Sequence, residues 1–298
     1  MIDNCPLCNA GVAKIKFMHG EFVYKLCPSC RSLFVANELS ALNIRELYSE
    51  SYYEADASNS KGRKGYPSYR EAQESLKESF FRKLSLVRAR VPSGRLLDAG
   101  AAYGTFLKVA HAYYDCVGLE VSEYAVARAR EEFGVDVRLG NVEQAPFVDA
   151  EFDVVVMWDI IEHLRNPVFA LQEIHRMLKP GGYCFISTDD ASNWLIKLLG
   201  TKWWAIAPPL HLCHFSKKGM LAALGRAGNF DYIEMKKDRR KYSIPEIIRH
   251  FGVSYQSRLL TDLGTWMGRT PFDRLILDIA RPEQFVTIAR KRIYVGEK

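Results

Sequence analysis

The sequence predicts an α/β protein in which a small cysteine-rich module precedes a doubly wound, mostly parallel sheet. After residue 95, short apolar runs of strand length alternate with segments of helical periodicity. Because parallel neighbouring strands need crossover helices, this alternation indicates a sheet with helices on both faces. The predicted strands are residues 96–99, 117–120, 135–139, 152–158 and 183–188, followed by 232–236 and 284–290.

Composition limits the class of protein. The chain has 298 residues, 48% of them hydrophobic, which is enough for one α/β core and an accessory module. No basic and apolar leader is found in residues 1–10, so we expect a cytoplasmic protein. The most apolar runs, 154–161 and 194–207, contain charges and are shorter than the roughly 20 residues of a membrane span.

The charge distribution gives no strong nucleic-acid signal. The net charge is +6, but Lys and Arg alternate with Asp and Glu through most of the chain. Such a pattern is typical of a solvated surface with loose attraction to phosphates or anionic membranes. The basic run 236–241 contains one Asp and is more typical of a solvated loop than of an RNA contact.

Four of the seven cysteines form two C-x-x-C pairs with zinc-ribbon spacing, Cys5/Cys8 and Cys27/Cys30. Each pair can form a knuckle that presents two thiolates to one tetrahedral Zn²⁺. The alternatives are two disulfides or a redox C-x-x-C, but thiols stay reduced in the cytosol, and two similar pairs suit one metal ion. Four thiolates leave no open coordination position, so we expect a structural zinc.

Three units follow from these patterns. Helical spacing runs from residue 68 to residue 90, after which Pro92 and Gly94 end the predicted helix. The polar run 57–65 is typical of a connector, and a mostly helical stretch is predicted at 244–279. The expected units are a zinc ribbon at 1–40, a connector with N-terminal helices at 41–92, and the α/β domain at 93–298 with a helical insertion at about 243–280.

The first strand of the domain ends in a turn of small residues, LLDAGAAYG at 96–104. Such a turn lets a cofactor approach the backbone at the start of a helix. Glu120 lies 22 residues after Asp98, at the end of the next strand, where a carboxylate can accept hydrogen bonds from ribose hydroxyls. A nicotinamide site is disfavoured, because the turn lacks the Gly-x-Gly-x-x-Gly pattern.

These motifs resemble those of class I S-adenosylmethionine-dependent methyltransferases: LLDAGAAYG, VGLEVS, FDVVVMWDIIEHLRNP and LKPGGYCFIST. A bacterial subgroup with an N-terminal zinc ribbon is similar over nearly the whole chain, in CPLC…CPSC, YSESYYEA, GYPSY and WW…PPLHLCHFS. The resemblance implies a Rossmann-like methyltransferase sheet with one antiparallel strand, S-adenosylmethionine as cofactor, and residues 93–298 as the domain that binds it.

The resemblance also assigns cofactor-binding residues. Asp98 would hold the ammonium group of the methionine portion, and Glu120 would hold the ribose. Ala102 departs from the Gly of many relatives, and its methyl group would narrow the pocket. The remaining positions, which would contact the methionine portion or the adenine, are Gly100, Ala101, Gly104, Asn141 and Val142.

Candidate catalytic residues follow the fourth strand and a later loop. Asp159 and His163 lie where ligands of doubly wound folds bind, and His163 is a candidate base for an acceptor that carries a proton. His211 and His214 in PLHLCHFS are rivals for that role. All three histidines also have a structural interpretation, and Ser216 is predicted to cap the next helix.

Three functions remain open. The first is methylation of a small molecule, by analogy a saccharide or a lipid-linked glycan or cell-surface precursor. The second is an RNA methyltransferase guided by the zinc ribbon, and the third is an inactive binding module. The apolar segment from Trp194 to Trp204 would line a substrate pocket, rest on a membrane surface or cover the core.

Overall fold

The computed structural model describes residues 1–11, 13–38, 46–54, 73–203, 205–254 and 257–293. The predicted polar run at 57–65, the GYPSY motif, the start of the predicted helix at 68–72 and Trp204 lie outside the described residues. Within the described part, no helix is long and apolar enough to cross a bilayer.

A seven-stranded sheet forms the centre of the larger domain. Its strands are β4 (Gly94–Ala99), β5 (Tyr114–Glu120), β6 (Val137–Leu139), β7 (Phe152–Trp158), β8 (Leu178–Asp189), β10 (Phe230–Ser243) and β11 (Ile276–Lys291). The order across the sheet is β10-β11-β8-β7-β4-β5-β6. Five neighbouring strands are parallel, in the order β8, β7, β4, β5 and β6. β11 runs antiparallel to β8 and to β10. This confirms the predicted fold class.

Helices cover both faces of the sheet. Alternate residues of β7 show this directly: Val154 and Val156 pack into one apolar cluster, and Val155 and Met157 into the other. The helices are α1 (Glu50–Glu54), α2 (Gln73–Arg88), α3 (Thr105–Ala110), α4 (Glu123–Arg128), α5 (Pro167–Met177), α6 (Trp194–Leu199), α7 (Lys217–Ala227), α8 (Ile244–Ser254) and α9 (Arg258–Met267). Strands buried on both faces explain the continuous apolar runs in the sequence.

The N-terminal module is a small antiparallel sheet of β1 (Lys14–His19), β2 (Phe22–Leu26) and β3 (Leu33–Val35). Its fourth strand, β9 (Cys213–His214), comes from the larger domain, and Leu33 pairs with His214. Ser216 N–H donates to Ser32 Oγ at 3.0 Å, and Ser216 Oγ donates to the Cys30 carbonyl oxygen. The small four-stranded sheet therefore contains strands from both the module and the larger domain.

Ser216 is the helix cap that the sequence predicts. Its side chain accepts a hydrogen bond from Gly219 N–H at 2.9 Å and starts α7. Arg226, near the other end of α7, donates to the carbonyl oxygens of Pro6 and Leu7 at 2.9 and 3.0 Å. The helix thus contacts the cysteine module near both of its ends.

The structure corrects the predicted bounds of the helical stretch and of β6. The helical stretch predicted at 244–279 ends at Arg274, because residues from Ile276 onward pair with β10 as far as Ser243. β10 and β11 therefore form a long hairpin that reaches beyond the core, and the helical insertion lies at the tip of this hairpin. The predicted strand 135–139 begins only at Val137, opposite Gly118 of β5.

A substitution in α7 tests this interface. Gly219→Ala should destabilise the protein by about 1–3 kcal/mol, because the new methyl group collides with Ser32 Oγ and contacts Leu7. The matched control is Gly225→Ala in the same helix, where a Cβ meets nothing within 4 Å. That change should stabilise the protein by about 0.5–1 kcal/mol. Equal denaturation midpoints for the two variants would contradict the interface.

Candidate functional site

The turn after β4 lies at the carboxyl edge of the parallel strands. Gly100 and Gly104 have φ angles of +89° and +76°, a region that favours glycine. A Cβ at Gly100 would collide with Ile160. Ala102 also has a positive φ, +48°, which strains an alanine by roughly 1 kcal/mol. The departure from glycine at this position therefore strains the backbone.

Glu120 closes the turn from the next strand. Its carboxylate accepts backbone N–H groups of Ala102 at 2.9 Å, Val121 at 2.8 Å and Ser122 at 2.9 Å. The side chain is buried, and burial raises its pKa although these donors act in the opposite direction. The residue expected to hold ribose therefore also fixes the turn.

Asp98 lies beside Glu120 and is 2% exposed. Burial, and then the Glu120 carboxylate, raise the pKa of Asp98 to about 8, while the ammonium group of Lys83 opposes this shift. Two buried carboxylates at one point create a site that favours a cationic ligand.

Asn141 and Val142 stand at the start of a single turn after β6. The Asn141 side chain accepts a hydrogen bond from Glu143 N–H at 3.1 Å, so it caps this turn. Val142 is buried, with 5% of its surface exposed. The structure places both residues beyond the carboxyl end of β6.

Lys83 of α2 contacts residues at the carboxyl ends of β7 and β8. Its ammonium group lies 3.2 Å from Asp159 Oδ2 and 3.2 Å from Ser187 Oγ, and 4.8 Å from the Trp158 ring centroid. Ser187 Oγ donates to Asp159 Oδ1 at 2.8 Å. Sequence reasoning missed Lys83, although a lysine among the apolar positions Phe80, Leu84 and Val87 was a usable signal.

His163 and His211 meet beyond Asp159. Their ring centroids are 4.6 Å apart, and the Tyr48 hydroxyl lies 2.9 Å from His163 Nδ1. Burial and the neighbouring His211 lower the pKa of His163 to about 3. Glu162, adjacent to His163, is buried and accepts from Thr188 Oγ1 at 2.9 Å. His163 is therefore a neutral imidazole near neutral pH.

His214 lies further from this group and is fully buried. Its ring centroid is 5.9 Å from those of His211 and Tyr24. Burial, and then His211, lower its pKa to about 3. The structure thus brings all three predicted histidines together, next to the carboxyl end of β8.

A tyrosine-rich segment, residues 48–54, lies over both the turn after β4 and the histidine group. Tyr53 stacks on Tyr103 with ring centroids 5.2 Å apart, and Ser122 Oγ donates to the Tyr48 carbonyl oxygen at 2.6 Å. Glu54 accepts hydrogen bonds from the hydroxyls of Tyr103 and Tyr124 at 3.0 and 2.8 Å. The YSESYYEA motif carried this segment in the sequence, but its spacing alone assigned it no role.

The four N-terminal cysteines form a separate cluster. Cys5 Sγ lies 3.6 Å from Cys30 Sγ, and Cys8 Sγ lies 3.5 Å from Cys27 Sγ. All four sulfurs lie within 4.8 Å of one another, and none is in a disulfide. Sulfurs at about 2.3 Å from a tetrahedral zinc are about 3.8 Å apart, so the cluster fits Zn²⁺.

Comparison with known families decides the class of the larger domain. A family profile described as a methyltransferase domain matches residues 69–234, more than half of the chain. The chain belongs to this methyltransferase family. Together with the sheet order, this confirms the class I S-adenosylmethionine-dependent methyltransferase that the motifs resemble.

Individual relatives agree with the family. A Mycolicibacterium smegmatis protein described as a probable S-adenosylmethionine-dependent methyltransferase is 37% identical over 118 residues, 37% of this chain and 46% of that protein. A ubiquinone biosynthesis O-methyltransferase of Hahella chejuensis is 28% identical over 169 residues, 50% of this chain and 68% of that protein. The chain spans about half the length of the first of these relatives.

Solved structures show the same fold. The structure of an S-adenosylmethionine-dependent methyltransferase from Archaeoglobus fulgidus superposes with a TM-score of 0.53 at 16% identity. The superposed region covers 75% of this chain and 96% of that protein. This likeness shows the architecture of the methyltransferase domain.

The raised pKa of Asp98 predicts a pH-dependent cofactor affinity. At pH 6 the free carboxyl group is mainly protonated, and binding a cationic methionine group releases its proton. S-adenosylmethionine affinity should therefore rise from pH 6 to pH 7.5, by up to roughly 10-fold per unit. Calorimetry in buffers of different ionisation enthalpy measures both the affinity and the released proton.

S-adenosylmethionine has ionisable groups of its own, and Asp98→Asn is the control for their titration. The variant should bind more weakly, and its affinity should lack the part of the pH dependence that comes from Asp98. A wild-type protein that releases no proton and binds equally at both pH values would exclude Asp98 as the ammonium partner.

Proposed function

We propose that this chain transfers a methyl group from S-adenosylmethionine to an oxygen of a small acceptor, a saccharide or a lipid-linked glycan precursor. One observation carries the proposal: the buried Asp98–Glu120 pair and the group formed by the partly buried His163 and His211 and the buried His214 lie at the same sheet edge, under one tyrosine-rich cover. S-adenosylmethionine supplies an electrophilic methyl group when it is bound.

The residues of the turn would hold that cofactor. Asp98 is placed to take the ammonium group. Glu120 accepts from three backbone donors and from the Tyr53 side chain, and ribose would bind it in exchange for the Tyr53 hydroxyl. Gly100, Ala101 and Gly104 would line the methionine portion, and Asn141 and Val142 the adenine. Tyr53 and Glu54 would exclude water from this side.

The acceptor would lie between Asp159 and the histidines. His163 is neutral near pH 7 and can take a proton from an acceptor hydroxyl at its ring nitrogen, while the hydrogen bond with Tyr48 orients the ring. Lys83 fixes the carboxylate of Asp159 at 3.2 Å. Alignment and exclusion of water are the main tasks of a protein in such a displacement.

Exposed apolar side chains support an acceptor linked to lipid. On α8, α9 and the following turn, large apolar side chains are 40–79% exposed. They are Phe251, Leu259, Leu263, Trp266, Phe272 and Leu275. Such a surface suits a membrane-associated substrate. The name of the Hahella chejuensis relative points in the same direction, to O-methylation during ubiquinone biosynthesis.

We also propose that the cysteine cluster is a zinc ribbon holding one structural Zn²⁺. The sulfur spacing and the closed set of four thiolates support this. Cys30 precedes Ser32, and β3 pairs with β9, so the metal would stabilise the segment that carries His214.

The zinc proposal predicts the metal content of a cysteine variant. Cys27→Ser should hold about one zinc ion per chain fewer than the wild type, because a closed thiolate site loses one ligand. Cys116→Ser is the control, since Cys116 is a free, partly buried thiol outside the cluster. Elemental analysis measures both. The same zinc content in Cys27→Ser and wild type would exclude the ribbon site.

Product identification tests the proposed reaction. Cell extract incubated with the protein and isotope-labelled S-adenosylmethionine should yield a labelled saccharide or lipid-linked product, detected by mass spectrometry. His163→Ala should lower the turnover of that product by roughly 100-fold and change cofactor affinity only a few-fold. Since the pKa of His163 is about 3, its contribution to the rate should not vary between pH 5 and pH 8.

His111→Ala is the matched control, because His111 is exposed at the end of α3. It should retain wild-type turnover. Near-normal turnover of His163→Ala would exclude His163 as the base, and label only in RNA would overturn the acceptor class.

A further inference from the structure

His214 is a buried side chain whose polar atoms the fold leaves unused. It is fully buried, and within the described part of the chain neither ring nitrogen has a hydrogen-bond partner. Its ring lies against Tyr24 and Trp203, with centroid distances of 5.9 and 5.5 Å. Leaving a buried polar group unsatisfied destabilises a protein, so a ligand that bonds to this ring would remove that cost.

Asp189, the last residue of β8, faces the same point. Its carboxylate is fully buried, and its Oδ1 accepts from Gln284 Nε2 at 3.3 Å. Its other oxygen, Oδ2, lies 3.3 Å from His211 Nδ1. Among the described residues no lysine or arginine forms an ion pair with it. A buried carboxylate without a cationic partner is costly.

These three side chains have the spacing of metal ligands. One ligand atom each from Asp189, His211 and His214 lies within 4.8 Å of the other two. Ligands at about 2.1 Å from a metal ion are roughly 3.0–3.4 Å apart. The 3.3 Å between Asp189 Oδ2 and His211 Nδ1 already lies in this range, and a small shift of the His214 ring completes the set.

We propose that Asp189, His211 and His214 form a second metal site, which binds a divalent first-row transition cation. Two imidazoles and one carboxylate are the donors of open zinc sites and of non-haem iron(II) sites. Three ligands leave coordination positions for a substrate, in contrast to the closed set of four thiolates. This site is separate from the cysteine cluster, and its test does not depend on the proposed reaction.

The position of the site indicates what the cation would bind. The His211 ring lies 4.6 Å from that of His163, so the site borders the proposed acceptor pocket. A cation there would coordinate an acceptor oxygen and lower the pKa of its hydroxyl group. The proton could then pass to a weakly basic imidazole such as His163. The acceptor class is therefore a molecule that offers an oxygen ligand.

Metal counting on the full chain tests the site. The wild type, saturated with Zn²⁺ and freed of loosely bound metal, should hold about two ions per chain. His211→Gln and Asp189→Asn should each hold about one. After replacement by Co²⁺, both variants should keep the thiolate charge-transfer absorption and lose the weak ligand-field absorption of the nitrogen and oxygen site. His211 is partly exposed, so its variant is the one expected to fold if Asp189→Asn does not.

His163→Gln is the matched control, because it changes a neighbouring histidine outside the proposed ligand set. It should hold as many ions as the wild type. A wild type that binds only the thiolate-held ion at saturating Co²⁺ would overturn the site. Retention of both ions in His211→Gln would do the same. Loss of an ion in His163→Gln but not in Asp189→Asn would instead assign the ion to Glu162, His163 and His211. Calorimetry measures S-adenosylmethionine binding separately. A protein that binds this cofactor but not a second ion would contradict the metal site and leave the proposed function standing.

Discussion

Two residue pairs, Leu33 with His214 and Phe34 with Cys213, join the cysteine module to the larger domain. The rest of the acceptor side depends on this short pairing, because it fixes the loop that carries His211 and His214. Ser216 strengthens it by capping α7 while it donates to the Cys30 carbonyl oxygen. The metal ion proposed for the ribbon would therefore act on the site through backbone geometry, without contacting substrate.

The site combines buried charge with backbone strain. Ala102 and Asp159 both have positive φ angles, and Asp98, Glu120, Glu162 and Asp189 are all buried carboxyl side chains. Lys83 pairs with the partly exposed Asp159 and opposes the raised pKa of Asp98. Such an arrangement costs stability in the free protein and favours cationic ligands, so the same residues that weaken the fold prepare it for binding.

The sequence predicts the sheet well because each strand has its own local signal. The apolar run of β7 and the small-residue turn of β4 can be interpreted without tertiary information. The partnership of Lys83 with Asp159, or of Tyr48 with His163, joins residues 76 and 115 positions apart, and no periodicity encodes it. The sequence pattern predicts helix for residues 276–279, but tertiary contacts decide their pairing with β10. His163 itself was found, but its lowered pKa depends on its buried surroundings.

The helical insertion at the tip of the hairpin enters at Ser243 and leaves at Ile276, two residues paired with each other. Its two ends are therefore adjacent in space, and the core strands do not depend on what is inserted between them. Evolution can lengthen, shorten or exchange this segment while the small-residue turn after β4 remains unchanged. The architecture thus separates the part of the protein that can diversify from the part that must be kept, and relatives with one cofactor chemistry can differ mainly at this tip.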